Sequence, residues 1–339
     1  MKLKRGINLG GFLSQCEHSI EHYRTYIGES DIEKIAGMGF DHVRLPIDYE
    51  VLEDEDGNAR EDCYDIVTSV VLWCKKNNLD IILDLHKARG YDFNDAGSKE
   101  KNNLFASSEL VEEFLRLWSE IAKRYAKYDH VAFELLNEVV EADNEKPWNE
   151  LIRKAVATIR QYTKDAYIIY GGIQWNSANT VELLDKPLDD RCIFTFHFYE
   201  PILFTHQKAY WVNNMNMDMT VKYPDSVDFY FKETVKLGYQ GEGILKSGTD
   251  VVGIPMLEAV VKNAVNAAEK AGVRLYCGEF GVIDRAPLED TLNWFRDVNE
   301  VFCKYDIGCA VWSYKEMDFG LVDSHYDDIR DELLKIWNN

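Results

Sequence analysis

Two glutamates stand where an apolar run ends. Glu138 closes VAFELLNE directly after Asn137, and Glu279 sits in LYCGEFG. A carboxylate at the end of an apolar strand is costly unless it is hydrogen-bonded or used. Two such groups facing each other over a cleft can cleave a glycosidic bond: one protonates the leaving oxygen, and the other attacks the sugar or activates water. Other chemistries find less support. LDLHKA offers no His-x-His and the chain has no HExxH, so no metal is expected. A serine hydrolase would want GxSxG, and a nucleotide cofactor GxGxxG or GxxxxGK[ST]; all are missing, and no cofactor is expected.

Something must carry these residues to one place. The runs RGINLG, HVRLPI, IILDLH, VAFELLN, YIIYGG, IFTFHFY, LYCGEFG and GCAVWSY are nearly all apolar, as parallel strands covered by helices should be. Helical patterns lie between them. Ile66, Val70 and Cys74 recur at four-residue spacing, as do Phe114, Trp118, Ile121 and Tyr125 in outline, and Gly272 closes MLEAVVKNAVNAAEKAG as a C-terminal cap. Eight strands with eight helical crossovers predict a single (β/α)8 TIM barrel over residues 1–339, an α/β fold, with a doubly wound sheet as the rival. One connection breaks the rhythm. Residues 201–253 follow the sixth strand and exceed the roughly 15 residues of an ordinary loop, so they are expected to form an inserted subdomain roofing the cleft.

In such a barrel, polar residues at the C-terminal strand ends face the active site. Arg44, His86, Asn137 with Glu138, His197 with Tyr199, Glu279 and Trp312 all fall there. Each also has a plainer explanation taken singly: Arg44 as partner of an interior carboxylate such as Glu134, the two histidines as satisfied core groups, Trp312 as core. Their repetition from strand to strand is a poor fit to chance.

Composition narrows the partners. The chain is 46% hydrophobic with a formal net charge of −21, which repels nucleic acid and anionic membrane surfaces and suits a neutral ligand. Seven cysteines at irregular spacing read as reduced and mostly buried thiols. MKLKRGINLGGFL lacks the apolar stretch of a signal peptide, and no run of 18 apolar residues could span a membrane. The expectation is a cytoplasmic monomer, secreted if a leader has been removed.

At these residues the chain resembles glycoside hydrolase family 5, of the large retaining-glycosidase clan. RGINLGGFL, HVRLPID, FELLNE, FHFYEP, LYCGEFG and AVWSYK occur in the family's order, and the whole pattern is most similar to its compact clostridial endoglucanase C type. The resemblance implies that Glu138 is the general acid/base and Glu279 the nucleophile. It implies that Arg44 and Tyr199 hold Glu279, Asn137 bonds the sugar 2-hydroxyl, His86 and His197 line the catalytic subsite, and Trp312 is its floor. Lys87, where close relatives carry a second histidine, and Phe12, in place of the commoner tryptophan, depart from the pattern at the negative subsites. Glu134 is expected to be a structural carboxylate.

The implied substrate is a neutral β-linked glucan cut by a retaining endo-β-1,4-glucanase. Trp175 and Trp211 are candidates for stacking on pyranose faces, whereas Trp73, Trp118 and Trp294 lie on helical patterns. A β-mannanase or glucomannanase, or an exo-β-1,3-glucanase, would share the same residues. A non-catalytic carbohydrate-binding barrel is the reading from another class.

Overall fold

The computed structural model describes residues 1–338, the side chains of Tyr239, Gln240 and Asn338 aside. Eight strands close into a parallel barrel in sequence order. They are β1 (Arg5–Asn8), β2 (His42–Asp48), β3 (Asp80–Lys87), β4 (Val131–Glu134), β5 (Ile168–Gly171), β6 (Cys192–Phe198), β7 (Arg274–Phe280) and β8 (Gly308–Val311). β1 pairs with β8, which completes the ring. The near-continuous apolar runs are explained by two cores. An outer shell packs strands against helices, and a small inner layer of Leu3, Ile82, Ala132, Ile169, Ile193, Tyr276 and Ala310 fills the barrel itself.

Side chains alternate along a strand, so every second residue points inward. From Ile82 the next inward positions on β3 are Asp84 and His86. From Ala132 on β4 the next is Glu134, and from Ala310 at the end of β8 it is Trp312. The apolar layer therefore gives way, toward the C-terminal ends, to a polar one.

The crossovers follow the sequence patterns, with one exception. Ser107 caps a helix, Ser108–Tyr125, by accepting from the Leu110 amide, and that helix buries Phe114, Trp118, Ile121 and Tyr125. The helix Ile254–Ala271 ends on Gly272 in the left-handed region at φ 71°, the conformation that glycine adopts without steric cost. Between β5 and β6, however, stands only a 3-10 segment, Ala178–Leu183, capped by Ser177. It is packed against the helix Ile254–Ala271. A short stretch that stops before Pro187 leaves no room for a full α-helix. Residues 201–253 hold three short α-helices, Ile202–Thr205, Val227–Thr234 and Glu242–Leu245. They are tied to the barrel wall through Tyr223, whose hydroxyl donates to Asp297 at 2.8 Å. Of the tryptophans assigned to helices, Trp118 and Trp294 are fully buried and Trp73 is half-buried.

Candidate active site

Arg44 is the centre of the polar layer. It is fully buried, and all three of its guanidinium nitrogens are engaged. Nε and Nη2 grip Glu134 at 2.8 and 3.0 Å, Nη1 donates to Asn8 at 3.0 Å and Glu279 at 2.9 Å, and Nη2 donates to Asn137 at 2.8 Å. Asp84 adds a third carboxylate 3.0 Å from Nη2. Burial works against the guanidinium charge, but Asp84, Glu134 and Glu279 outweigh it and hold Arg44 well above its ordinary value. The plainer reading of Arg44, pairing with Glu134, and the site reading, holding Glu279, are thus both realised by one side chain.

Glu279 also accepts from the Tyr199 hydroxyl at 3.0 Å, so both its oxygens are engaged by donors. Glu138 faces it across the cleft mouth, with 12% of its side chain exposed. Its Oε1 lies 2.7 Å from His197 Nδ1, which is itself 3.6 Å from Glu279 Oε2. Burial pushes the Glu138 carboxyl up to about 7, although His86 and Arg44 pull the other way. Burial likewise pushes His197 down to about 4, so at neutral pH the ring is uncharged and can donate one N–H to Glu138. Oxygens of the two carboxylates approach within 4.8 Å.

A ring wall borders this pair. His86 Nδ1 and Asp84 Oδ2 share a hydrogen bond of 2.6 Å, and the His86 ring lies parallel to Trp312, 8° apart in plane with centroids 6.0 Å apart. Gly10 leaves space for that indole: a Cβ there would stand 3.0 Å from Trp312. Asn137, with Oδ1 taken by Arg44, keeps its amide N–H groups for another acceptor. Trp211 stands further out and is linked to the cluster through other rings. It is 42% exposed and meets His206 edge-on, and His206 in turn packs on Tyr199. Trp175 lies in the loop after β5, its backbone N–H donating to Val139 beside Glu138.

Eight of the ten residues picked from the sequence therefore form one contiguous cluster, with Trp175 and Trp211 at its margins. Asn8 and Asp84 were missed. Both are inward polar residues in apolar strands, the same signal that marked Arg44 and His86. Of the two departures from the family pattern, Phe12 is fully buried and stacks on Tyr26, while Lys87 pairs with Asp92 at 2.9 Å and Asp48 at 3.7 Å. Two sets of metal-ligand type occur among the described residues, Glu138–His197–Glu279 and His18–Asp48–Glu50. In each a cationic side chain already stands on a carboxylate, Arg44 on Glu279 and Lys87 near Asp48, which opposes a metal ion by charge.

The raised Glu138 has a stability consequence. Folded, it keeps a proton that the unfolded chain releases between its ordinary value of 4.5 and about 7, so its contribution to stability is lost as pH rises through that window. Glu138→Gln should therefore be more stable than the unaltered chain by about 1–3 kcal/mol at pH 8, and show little difference at pH 4. Urea unfolding at the two pH values reads this. Equal stability at pH 8 would mean that the carboxyl is not held in its acid form.

Known proteins resemble this chain along nearly its whole length. The model of the family described as Cellulase (glycosyl hydrolase family 5) matches residues 5–318. Endoglucanase C of Acetivibrio thermocellus is 40% identical, over 99% of this chain and 98% of its own. Cellodextrinase A of Ruminococcus flavefaciens is also 40% identical, over 89% and 83%. Cel5A of Thermotoga maritima, solved in complex with mannotriose, superposes with a TM-score of 0.77 at 26% identity, covering 99% of this chain and 97% of that one.

Proposed function

This chain belongs to glycosyl hydrolase family 5, and from that premise we propose that it is a retaining endo-β-1,4-glucanase using Glu138 as acid/base and Glu279 as nucleophile. The observation that carries the reading is the division of labour within the pair. Glu138 is kept as an acid up to about pH 7 by burial, while Glu279 is an acceptor for both Arg44 and Tyr199. Their spacing supports the two-step route. Retaining pairs stand roughly 5–5.5 Å apart, whereas inverting pairs leave roughly 6.5–9.5 Å for a water, and here oxygens approach within 4.8 Å. In the first step Glu279 attacks the anomeric carbon as Glu138 gives its proton to the departing oxygen. In the second, Glu138 takes a proton from water, which displaces Glu279. His197 steadies Glu138 throughout, and Asn137 offers its amide to the sugar. The rate should fall on the alkaline side near pH 7, as Glu138 loses its proton.

The deciding experiment is turnover on carboxymethyl-cellulose, lichenan, laminarin and mannan with sizing of the products. Internal cuts in β-1,4-glucan support the reading. Single sugars or disaccharides released from chain ends, or laminarin as the preferred substrate, overturn it. A mannan-cleaving reading is favoured by one observation, the mannotriose bound in the Thermotoga structure, and the mannan arm tests it.

Residues 201–253 are proposed to roof this cleft, with Trp211 and the 79% exposed Tyr210 as a stacking platform for polymer. Trp211→Ala should raise KM on the polymer about tenfold while changing turnover of a small aryl β-cellobioside less than about twofold. Equal effects on both would place Trp211 outside the polymer path.

A further inference from the structure

Asp48 closes β2 and is fully buried. Its Oδ1 accepts from the Ser14 hydroxyl at 2.6 Å, and its Oδ2 accepts from the Gln15 backbone N–H at 3.1 Å. His18 Nε2 stands 3.2 Å and Lys87 Nζ 3.7 Å from the same oxygen. One carboxylate thus ties the loop after β1 to the ends of β2 and β3. At the tied point Gln15 has φ 53°, a left-handed backbone that residues other than glycine adopt rarely. Such conformations persist where the surroundings over-determine them, and they cluster at sites of function.

The tie delivers the Gln15 side chain to the ring wall. Its Nε2 lies 3.4 Å from His86 Nε2, on the side of the imidazole opposite Asp84. With Nδ1–H given to Asp84, His86 Nε2 carries a lone pair, and the Gln15 amide faces it. The carboxamide therefore stands beside the His86–Trp312 wall while its own oxygen remains available as an acceptor.

We propose that Gln15 is a specificity-determining residue whose carboxamide hydrogen-bonds a hydroxyl of the glycone, and that Asp48 is the positioning residue that aims it. This deepens the glycosidase reading and rests on it. The chemistry needed in the ligand is a sugar hydroxyl beside the His86–Trp312 wall that can donate to the Gln15 carboxamide oxygen.

The test uses Gln15→Gly, which keeps the left-handed backbone and removes only the side chain. Turnover of an aryl β-cellobioside by the unaltered chain comes first, since its absence would sink the glycosidase reading and not this one. Cellobiose binding by calorimetry does not need turnover and decides Gln15 in either case. Gln15→Gly should weaken cellobiose binding and raise KM for the aryl cellobioside about fivefold to tenfold, the size of one neutral hydrogen bond, with kcat within about twofold. Asp48→Asn should give the same shift, and none further in the Gln15→Gly background. Unchanged cellobiose affinity in Gln15→Gly overturns the proposal, as does an effect confined to polymer and absent from the aryl cellobioside. An Asp48→Asn shift that persists undiminished in the Gln15→Gly background removes the positioning role. Should Asp48→Asn fail to fold, Gln15→Gly alone carries the decision.

Discussion

Glu279→Ala should lose on the order of 10⁴- to 10⁶-fold in turnover, and azide should partly restore it with inversion of the anomeric centre. The reason lies in what the substitution leaves behind. Under the proposed roles, removing the carboxylate empties the place from which the sugar is attacked, next to an unchanged Arg44 and Tyr199 that held it. A small anion can enter there and displace an activated aryl group directly, giving an α-glycosyl azide in one step. Glu138→Ala should behave otherwise. With a leaving group that needs no proton, the covalent intermediate still forms on Glu279, and only its hydrolysis lacks a base. Azide needs none, so it should release the sugar as the β-azide after two inversions. Product stereochemistry by NMR reads both variants. Swapped configurations would mean that the two roles are reversed, and no rescue in either folded variant would argue against a two-step route.

The two glutamates could be found from the sequence because each puts a charge where an apolar strand ends, and such a charge is costly in every fold that buries the strand. Arg44 and His86 stood out on the same ground. What each one touches could not be read. Arg44 meets Asp84 and Glu134 because β2, β3 and β4 pair in a register that sets Arg44 beside Ile82, and Asp84 beside Glu134. That register is a relation between strands, and no single strand's sequence contains it. The break at Ile47/Asp48, which brings Asp48 opposite Lys87, is equally invisible in either strand. So the departure at Lys87 could be noticed, but not its pairing with Asp48 and Asp92. The raised Glu138 carboxyl is also a product of assembly. Glu138 and Glu279 are glutamates in similar strand contexts, yet burial lifts the first while Arg44 and Tyr199 donate to the second, and neither environment is visible in its own strand. Eight full helical crossovers were expected, and the one after β5 is a 3-10 segment because the stretch between Ser177 and Pro187 is too short for a helix of several turns.

Arg44→Met should cost about 3–5 kcal/mol of stability, the range for stranding a buried charge without its partner. Here one cation serves three carboxylates, Asp84, Glu134 and Glu279, of which the first two are fully buried. Burial already raises Asp84 to about 7 and Glu134 above its ordinary value even with Arg44 in place, because its attraction only partly offsets the loss of water. Without it both must rise further or stand charged and unpaired. The folded variant would then bind protons that the unfolded chain releases above about pH 4, so its stability falls as pH rises and returns as pH is lowered. Arg44→Met should accordingly recover part of its lost stability between pH 7 and pH 5. Glu134→Gln, which leaves Arg44 paired with Asp84 and Glu279, should cost less stability and remain largely active. Urea unfolding of both variants at the two pH values distinguishes these outcomes. A wild-type-like Arg44→Met, or one that gains nothing on acidification, would show that the three carboxylates are stabilised by something other than this guanidinium. Arg44→Lys should not rescue, because one ammonium cannot reach Glu134 through two parallel bonds while also holding Asn8, Asn137 and Glu279. The same side chain thus sustains the fold and supports Glu279, which is why its loss should be felt in unfolding before it is measured in turnover.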